Sequence, residues 1–211
     1  MDVYLDDVAL TIPNASLAEV LDAARERAQA AGRLIVEVLF DGRRPSDAEL
    51  AAADAPDVRE VRCRSADPAE LIAATLEDAA GELDLLIADQ RRACESLWIG
   101  RVSDAMENLR DILERWKLVR GGLEQCAQAL SLPLASIPGI GSRSAADLAG
   151  ELTKDLEMIR RELAAGKLVE LADLVGYDLC RRGEAWREML RSLAESVRRL
   201  HERDTAGGPA A

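Results

Sequence analysis

The chain has 211 residues, of which 48% are apolar, 31% charged and 3% aromatic. Such a composition is typical of a water-facing globular protein with one medium core or two small ones, and it excludes fibrous and wholly disordered chains. The 27 basic and 39 acidic residues give a formal charge of −12, which repels phosphate backbones and anionic lipid, so nucleic acid is an unlikely partner. The apolar runs fall far short of the roughly 20 residues of a membrane-spanning helix, so we expect no membrane contact.

The side chains that most enzymes use for chemistry are scarce. The only histidine is His201, which leaves no histidine-based triad or histidine-containing metal cage. The four cysteines, Cys63, Cys94, Cys126 and Cys180, contain no C-x-x-C pair and fall inside predicted strands and helices. They are interpreted as small buried hydrophobes with free thiols, which favours a cytoplasmic location. We therefore expect no catalytic residues, no metal and no cofactor.

The first elements of the chain form a predicted hairpin and helix. Segments 3–5 and 8–12 flank an Asp6-Asp7 turn, and Pro13 ends the second strand because proline cannot continue a hydrogen-bonded ladder. Ser16 and Glu19 have the spacing of a capping box. The predicted helix that follows ends at Gly32.

Two more strands are predicted before residue 65. The segment 34–40 reads LIVEVLF, and so continuous an apolar run predicts a central strand that is covered on both faces. The segment 58–64 alternates, with Val61 and Cys63 on one side. Together the elements predict a small domain over residues 1–65.

The order hairpin, helix, strand, strand resembles the β-grasp (ubiquitin-like) fold. The residues that carry the resemblance are the turn at 4–7, which reads YLDD, and the strand end at 38–42, which reads VLFDG. The resemblance implies a mixed sheet with one helix packed across it.

From residue 66 the apolar period is 3.6 almost without interruption, which predicts four helices. Caps at Asp67, Ser103 and Ser144 begin the first three, and the fourth follows Gly166. Their lengths are compatible with a four-helix antiparallel bundle over 66–203, followed by a flexible tail over 204–211. The fourth helix is expected to be kinked near Gly176 and Gly183. The sequence thus predicts an α+β protein with a β-grasp-like domain and a helical bundle.

The segment 137–148 reads IPGIGSRSAADL, which resembles the helix-hairpin-helix element of DNA repair and recombination proteins. In that family the glycine N–H groups and the following helix N-terminus hold a DNA phosphate. The resemblance implies that Gly139, Gly141 and Arg143 contact phosphate. The alternative is a proline- and glycine-rich turn between two helices.

Aromatic residues and one tyrosine–carboxylate spacing are the other candidates for function. Trp116 and Trp186 lie on the apolar stripes of their helices and are expected in the core at a similar level of the bundle. Trp98 lies at a helix end, where it either joins the core or contacts a protein partner. Asp173 and Tyr177 are four residues apart on a helix flank, as in an interface or a hydrogen-bonded pair.

The helical half, over residues 68–202, is rich in leucine and has short glycine turns. In composition it is similar to the flagellar export chaperones and other cytoplasmic helical adaptors, which receive a helical segment of a client. The whole chain also resembles uncharacterised bacterial proteins that join a β-grasp-like segment to a helical bundle. These resemblances imply a non-enzymatic adaptor that binds a helical protein partner or a second copy of itself. A DNA-associated protein that uses the 137–144 turn is the alternative.

Overall fold

The computed structural model describes residues 1–12, 16–51 and 58–206 of an α+β protein. The chain folds as two compact units, residues 1–71 and 72–211, whereas the sequence analysis placed the boundary between residues 65 and 66. Within the described ranges, no helix has the length and apolarity required to cross a membrane.

The first unit contains a four-stranded mixed sheet in the order β2-β1-β4-β3. The strands are β1 (Asp2–Leu5), β2 (Val8–Ala9), β3 (Leu34–Phe40) and β4 (Glu60–Ala66). β1 runs parallel to β4 and antiparallel to β2, and β3 runs antiparallel to β4. Asp6 and Asp7 have φ values of 50° and 64°, so the β1–β2 hairpin turns as predicted, with the positive φ angles that match strand twist. The second hairpin strand is shorter than predicted, and Pro13 lies outside the described residues.

Helix α1 (Leu17–Ala30) begins at the predicted capping box, in which the Ser16 N–H donates to the Glu19 carboxylate over 2.8 Å. A second, short helix, α2 (Asp47–Ala51), was not predicted. The apolar face of α1 packs with the sheet in one core. Its buried members are Leu17, Val20, Ala24 and Ala28 of α1 with Val3, Leu5, Phe40, Val61 and Cys63 of the sheet.

The prediction that 34–40 forms a central strand was wrong. β3 is an edge strand, and β4 lies between β1 and β3. Leu34 and Val36 are exposed, while Phe40 is buried. A run of β-branched residues does not distinguish an edge strand from a central one, because both favour the extended backbone equally.

The chain is helical from residue 68 onward. The helices are α3 (Pro68–Trp98), α4 (Val102–Ala129), α5 (Ala145–Ala164), α6 (Leu168–Asp173), a π-helical turn (Leu174–Leu179) and α7 (Cys180–Ala206), so α3 begins in the last residues of the first unit. α3 and α5 begin at the predicted caps, whereas Arg101 rather than Ser103 precedes α4. The tail predicted over 204–211 overlaps the end of α7, and its residues 207–211 lie outside the described part of the chain.

The predicted core tryptophans are confirmed. Trp116 of α4 and Trp186 of α7 are fully buried, and their rings meet edge to face with centroids 5.7 Å apart. The Trp186 indole N–H donates to the Leu148 carbonyl of α5 over 3.4 Å. An edge-to-face pair contributes about 1 kcal/mol beyond its buried area, so this contact holds α4, α5 and α7 in register.

Ion pairs reinforce the same packing at its surface. Asp84 of α3 binds both Arg187 and Arg191 of α7, the latter over 2.9 Å. Glu77 of α3 binds Arg198 of α7, and Arg115 of α4 binds Glu82 and Asp89 of α3. Three arginines of α7, Arg187, Arg191 and Arg198, therefore bind acidic side chains of α3.

Two buried side chains of this core, Gln90 and Trp116, have polar atoms without a hydrogen-bond partner among the described residues. Gln90 of α3 is fully buried, and neither amide atom has a hydrogen-bond partner among the described residues. Gln90→Met removes a polar group whose burial is not compensated, so we expect the free energy of unfolding to rise by about 1 kcal/mol. Urea denaturation measures it, with Gln128→Met, on the exposed side of α4, as the neutral control. A loss of stability in Gln90→Met would mean that the amide has a partner.

Candidate functional site

The candidate site lies where the end of α3 contacts the π-helical turn. Gly176 faces Cys94 so closely that a Cβ at Gly176 would lie 2.5 Å from the Cys94 Sγ and 2.9 Å from its Cβ. Seven residues on, Gly183 faces Ile87 in the same way, at 2.8 Å. Because glycine has no Cβ, these two positions allow side chains of α3 to contact the backbone of the helix that carries the glycines.

The helix that carries Gly176 widens at this contact. The π-helical turn over Leu174–Leu179 contains Gly176, and the Cys180 thiol donates to the Val175 carbonyl over 3.5 Å and lies 3.8 Å from the Ile87 carbonyl. Single π-helical turns inside α-helices occur frequently at functional sites. The kink predicted from the glycines is thus a local change of helix type.

Cys94 is half-buried at the centre of the site. Burial raises the pKa of the Cys94 thiol, the Trp98 side chain opposes this by donating a hydrogen bond, and the charge of Asp173 raises the pKa further. Burial likewise raises the pKa of the Cys180 thiol, against the opposing charge of Arg91. Both thiols therefore stay protonated at neutral pH, and a protonated thiol is a poor nucleophile and metal ligand.

The structure brings two of the three predicted partner-binding residues to Cys94. Trp98 lowers the pKa of the Cys94 thiol and Asp173 raises it, while Tyr177 directly follows Gly176. Trp98 is 58% exposed and Tyr177 is 71% exposed, so neither belongs to the core. Asp173 and Tyr177 share no hydrogen bond in the described part of the structure, and the segment between them is a π-helical turn.

The sequence analysis missed Cys94 and Gly176 as members of the site. Cys94 was read as a buried hydrophobe, and Gly176 only as a possible kink. The seven-residue spacing of Gly176 and Gly183 on one helix is the signal from which a close helix contact could have been predicted.

The second candidate, the 137–144 turn, uses its polar groups internally. The Gly139 N–H donates to the Arg143 carbonyl over 2.8 Å, and a Cβ at Gly139 would lie 2.8 Å from that same oxygen. Gly141 has a φ of 67°, which glycine adopts without strain. These contacts close a tight loop and explain both glycines without a phosphate.

The remaining groups of that turn are also engaged. Arg143 binds the Glu151 carboxylate over 3.0 Å. The Ser144 N–H donates to the Asp147 carboxylate over 2.8 Å, and this bond comes first among those that lower the pKa of Asp147. A carboxylate already occupies the N-terminus of α5, where a phosphate would bind. DNA binding stays a prediction, and the geometry favours the alternative reading as a turn.

Among the residues that the structure describes, no three histidine, cysteine or acidic side chains are grouped to hold a metal ion. The Cys94 site presents two exposed aromatic side chains, Trp98 and Tyr177, beside a close contact between two helices. Comparison of the chain with protein-family models, with curated proteins and with solved structures gives no match.

Proposed function

We propose that this chain is a non-enzymatic protein-binding module of the bacterial cytoplasm, whose helical unit holds a helical segment of a protein partner or of a second copy. The observation that carries the proposal is the exposure of Trp98 and Tyr177 beside the contact of Cys94 with Gly176. Large aromatic side chains supply most of the binding energy at many protein interfaces.

The proposal includes a four-helix antiparallel bundle as the scaffold of this surface. Contacts that cross between helices support it. Trp116 of α4 meets Trp186 of α7, the Trp186 indole bonds to α5, and Asp84 of α3 binds two arginines of α7. A bundle held along its whole length presents its surface groups rigidly, which lowers the entropy lost on binding.

We also infer that the N-terminal unit is β-grasp-like. The first and last strands of its sheet lie side by side and parallel at the centre, with the hairpin on one side and β3 on the other. α1 packs across this sheet. The arrangement supports the fold that the hairpin, helix, strand, strand order implies.

Further apolar side chains of the helical unit remain exposed to solvent, as expected for a surface that binds a partner. Ile99, next to Trp98, is exposed, as is Val169 of α6. A stable interface buries about 800 Å² on each partner, and aromatic anchors at its centre with apolar neighbours are the usual composition of such a surface. The raised thiol pKa of Cys94 argues against a nucleophilic role for the same site.

Trp98→Ala and Tyr177→Ala test the proposal, because both side chains are exposed and their loss leaves the fold intact. Sedimentation equilibrium measures self-association, and affinity capture from the native host followed by titration of the captured protein measures partner binding. We expect each variant to weaken the association about tenfold or more. Leu118→Ala is the matched control, since Leu118 of α4 is 74% exposed.

Circular dichroism confirms that each variant remains folded. If the Trp98 and Tyr177 variants bind the partner or self-associate as tightly as Leu118→Ala does, the Cys94 site is not the interface and the proposal is wrong.

A further inference from the structure

Part of the outer edge of β3 has no strand partner among the described residues. The Asp41 N–H donates to the Glu60 carbonyl of β4 over 2.9 Å, whereas Phe40 exchanges two hydrogen bonds with Arg43, away from β4. Because backbone groups alternate in direction along a strand, the N–H and carbonyl of Val38 also point away from β4. Within the described ranges, no strand pairs with β3 on this side.

A cavity runs along this edge. It has a volume of about 350 Å³ and is lined by Ile35, Val36, Glu37 and Val38 of β3 and by Arg44, Pro45 and Leu50. Successive side chains of a strand point to opposite faces of the sheet. A space lined by four consecutive strand residues therefore faces the strand edge-on, where its backbone groups lie.

A larger cavity, of about 510 Å³, adjoins the first and shares Ile35, Val38 and Leu50 with it. Its wall is one stripe of α1, formed by Leu21, Arg25 and Gln29, each one helical turn from the next. Apolar side chains of β3 and β4 form the floor. The volume is that of a site for one or two side chains of a ligand.

The charged side chains that line the larger cavity are the basic Arg25 and Arg33, and no carboxylate is among its described lining residues. Arg33 has one acidic neighbour outside this lining, because its Nε lies 3.8 Å from the Asp6 carboxylate. The Arg33 guanidinium is held in place by the Ser65 hydroxyl at 2.6 Å and the Ser65 carbonyl at 2.8 Å. Arg25 pairs with Asp22 only at the surface, where both side chains are mostly exposed. The lining thus complements an acidic group, although residues 1–71 as a whole are acidic.

We propose that β3 binds an extended peptide segment by strand addition, with apolar side chains entering the two cavities and an acidic side chain meeting Arg25 and Arg33. Strand addition supplies main-chain hydrogen bonds to an exposed edge, and pockets beside the edge select alternate side chains. Apolar edge strands that stay unpaired are otherwise sites of aggregation, and the irregularity between Ile35 and Glu37 and the charge of Glu37 protect β3 only in part. This surface lies in the first unit and is independent of the helical surface proposed above.

The probe is an acetylated nine-residue peptide whose odd positions alternate valine with aspartate and whose even positions are threonine, so that apolar and acidic side chains share one face of the strand. The peptide is titrated into the full chain, and binding is followed by amide hydrogen exchange. We expect the Val38 amide, which faces outward, to become protected when the peptide binds. The Leu39 amide, paired with Arg62 of β4, should be protected with or without peptide. N-methylation of alternate peptide nitrogens is expected to abolish binding, because it removes the donors that strand addition requires.

Arg25→Glu tests the charge. We expect it to weaken binding of the aspartate peptide about fivefold, and Arg27→Glu, on the same helix but outside the cavity lining, to leave the affinity nearly unchanged. Four outcomes would overturn the proposal. They are no binding at about 1 mM peptide, binding that leaves the Val38 amide unprotected, full binding of the N-methylated peptide, and protection of Val38 in the free chain through self-association.

Discussion

Replacing Arg182 with leucine is expected to lower the free energy of unfolding by about 3 to 5 kcal/mol. The Arg182 side chain is only 14% exposed. Its Nε lies 2.7 Å from the Asp155 carboxylate of α5, and its Nη1 binds Glu151 of the same helix. Asp155 is itself buried. Without the guanidinium, the buried Asp155 carboxylate loses its counter-charge, whereas Glu151 keeps its ion pair with Arg143. The uncompensated charge of Asp155 is the source of the loss.

Urea denaturation measures the change, and the neighbouring arginine is the control. Arg181 is 78% exposed and pairs with Asp178 over 3.0 Å, so Arg181→Leu should change the free energy of unfolding by less than about 0.5 kcal/mol. Adding Asp155→Leu to Arg182→Leu should recover part of the loss, because an apolar pair can replace a buried ion pair. Equal effects of the two arginine variants would show that the Arg182 network contributes nothing.

The same network gives the 137–144 turn a structural role. Glu151 accepts from both Arg143 of the turn and Arg182 of α7. The turn is therefore tied through one carboxylate to α5 and α7, and Ile137 anchors it in the core. The resemblance assigned Arg143 to a phosphate because the sequence does not reveal which carboxylate stands nearest in the fold.

Helices and their core faces were predictable from the sequence. Burial of Trp116 and Trp186 follows from their position on stripes with a period of 3.6, since one face of each helix must leave water. The helix caps at Ser16 and Ser144 were also predictable from the sequence. Each capping box involves only the serine and the acidic residue three positions later. These predictions succeeded because each depends on residues that are close in the sequence.

The position of β3 was not predictable in this way. Strand order depends on which pairings bury the most surface, and β4 takes the centre with Val61 and Cys63 directed to the core. The apolar run of β3 specifies an extended strand but no neighbour. Its free edge, and with it the proposed peptide site, became visible only when the sheet was assembled.

The sequence predicted the exposed residue Trp98 of the candidate site, but it did not predict the contact between Cys94 and Gly176 at the centre of the site. Trp98 was recognised because it lies at a helix end, outside the regular stripe. The contact between Cys94 and Gly176 depends on how α3 is positioned along a helix that is distant in the sequence. No local sequence pattern specifies that position. The burial that raises the pKa of Cys94 is a consequence of that contact and was equally hidden.

Gly176→Ala is expected to lower the free energy of unfolding by about 2 kcal/mol, although alanine is the better helix former. The added Cβ would lie 2.5 Å from the Cys94 Sγ and 2.9 Å from its Cβ, so α3 and the π-helical turn must move apart. Urea denaturation measures the loss, and hydrogen exchange at Leu174–Leu179 is expected to accelerate. The surface that carries Trp98 and Tyr177 should loosen with it.

The same substitution at Gly150 should have the opposite sign. Gly150 lies on the exposed side of α5, and a Cβ there meets nothing within 4 Å, so Gly150→Ala gains the helix propensity of alanine, about 1 kcal/mol. Adding Cys94→Gly to Gly176→Ala removes both clashing atoms and should recover most of the loss through a favourable coupling. Stabilisation by Gly176→Ala alone would mean that the helices do not meet at Cys94, and the candidate site would lose its physical basis.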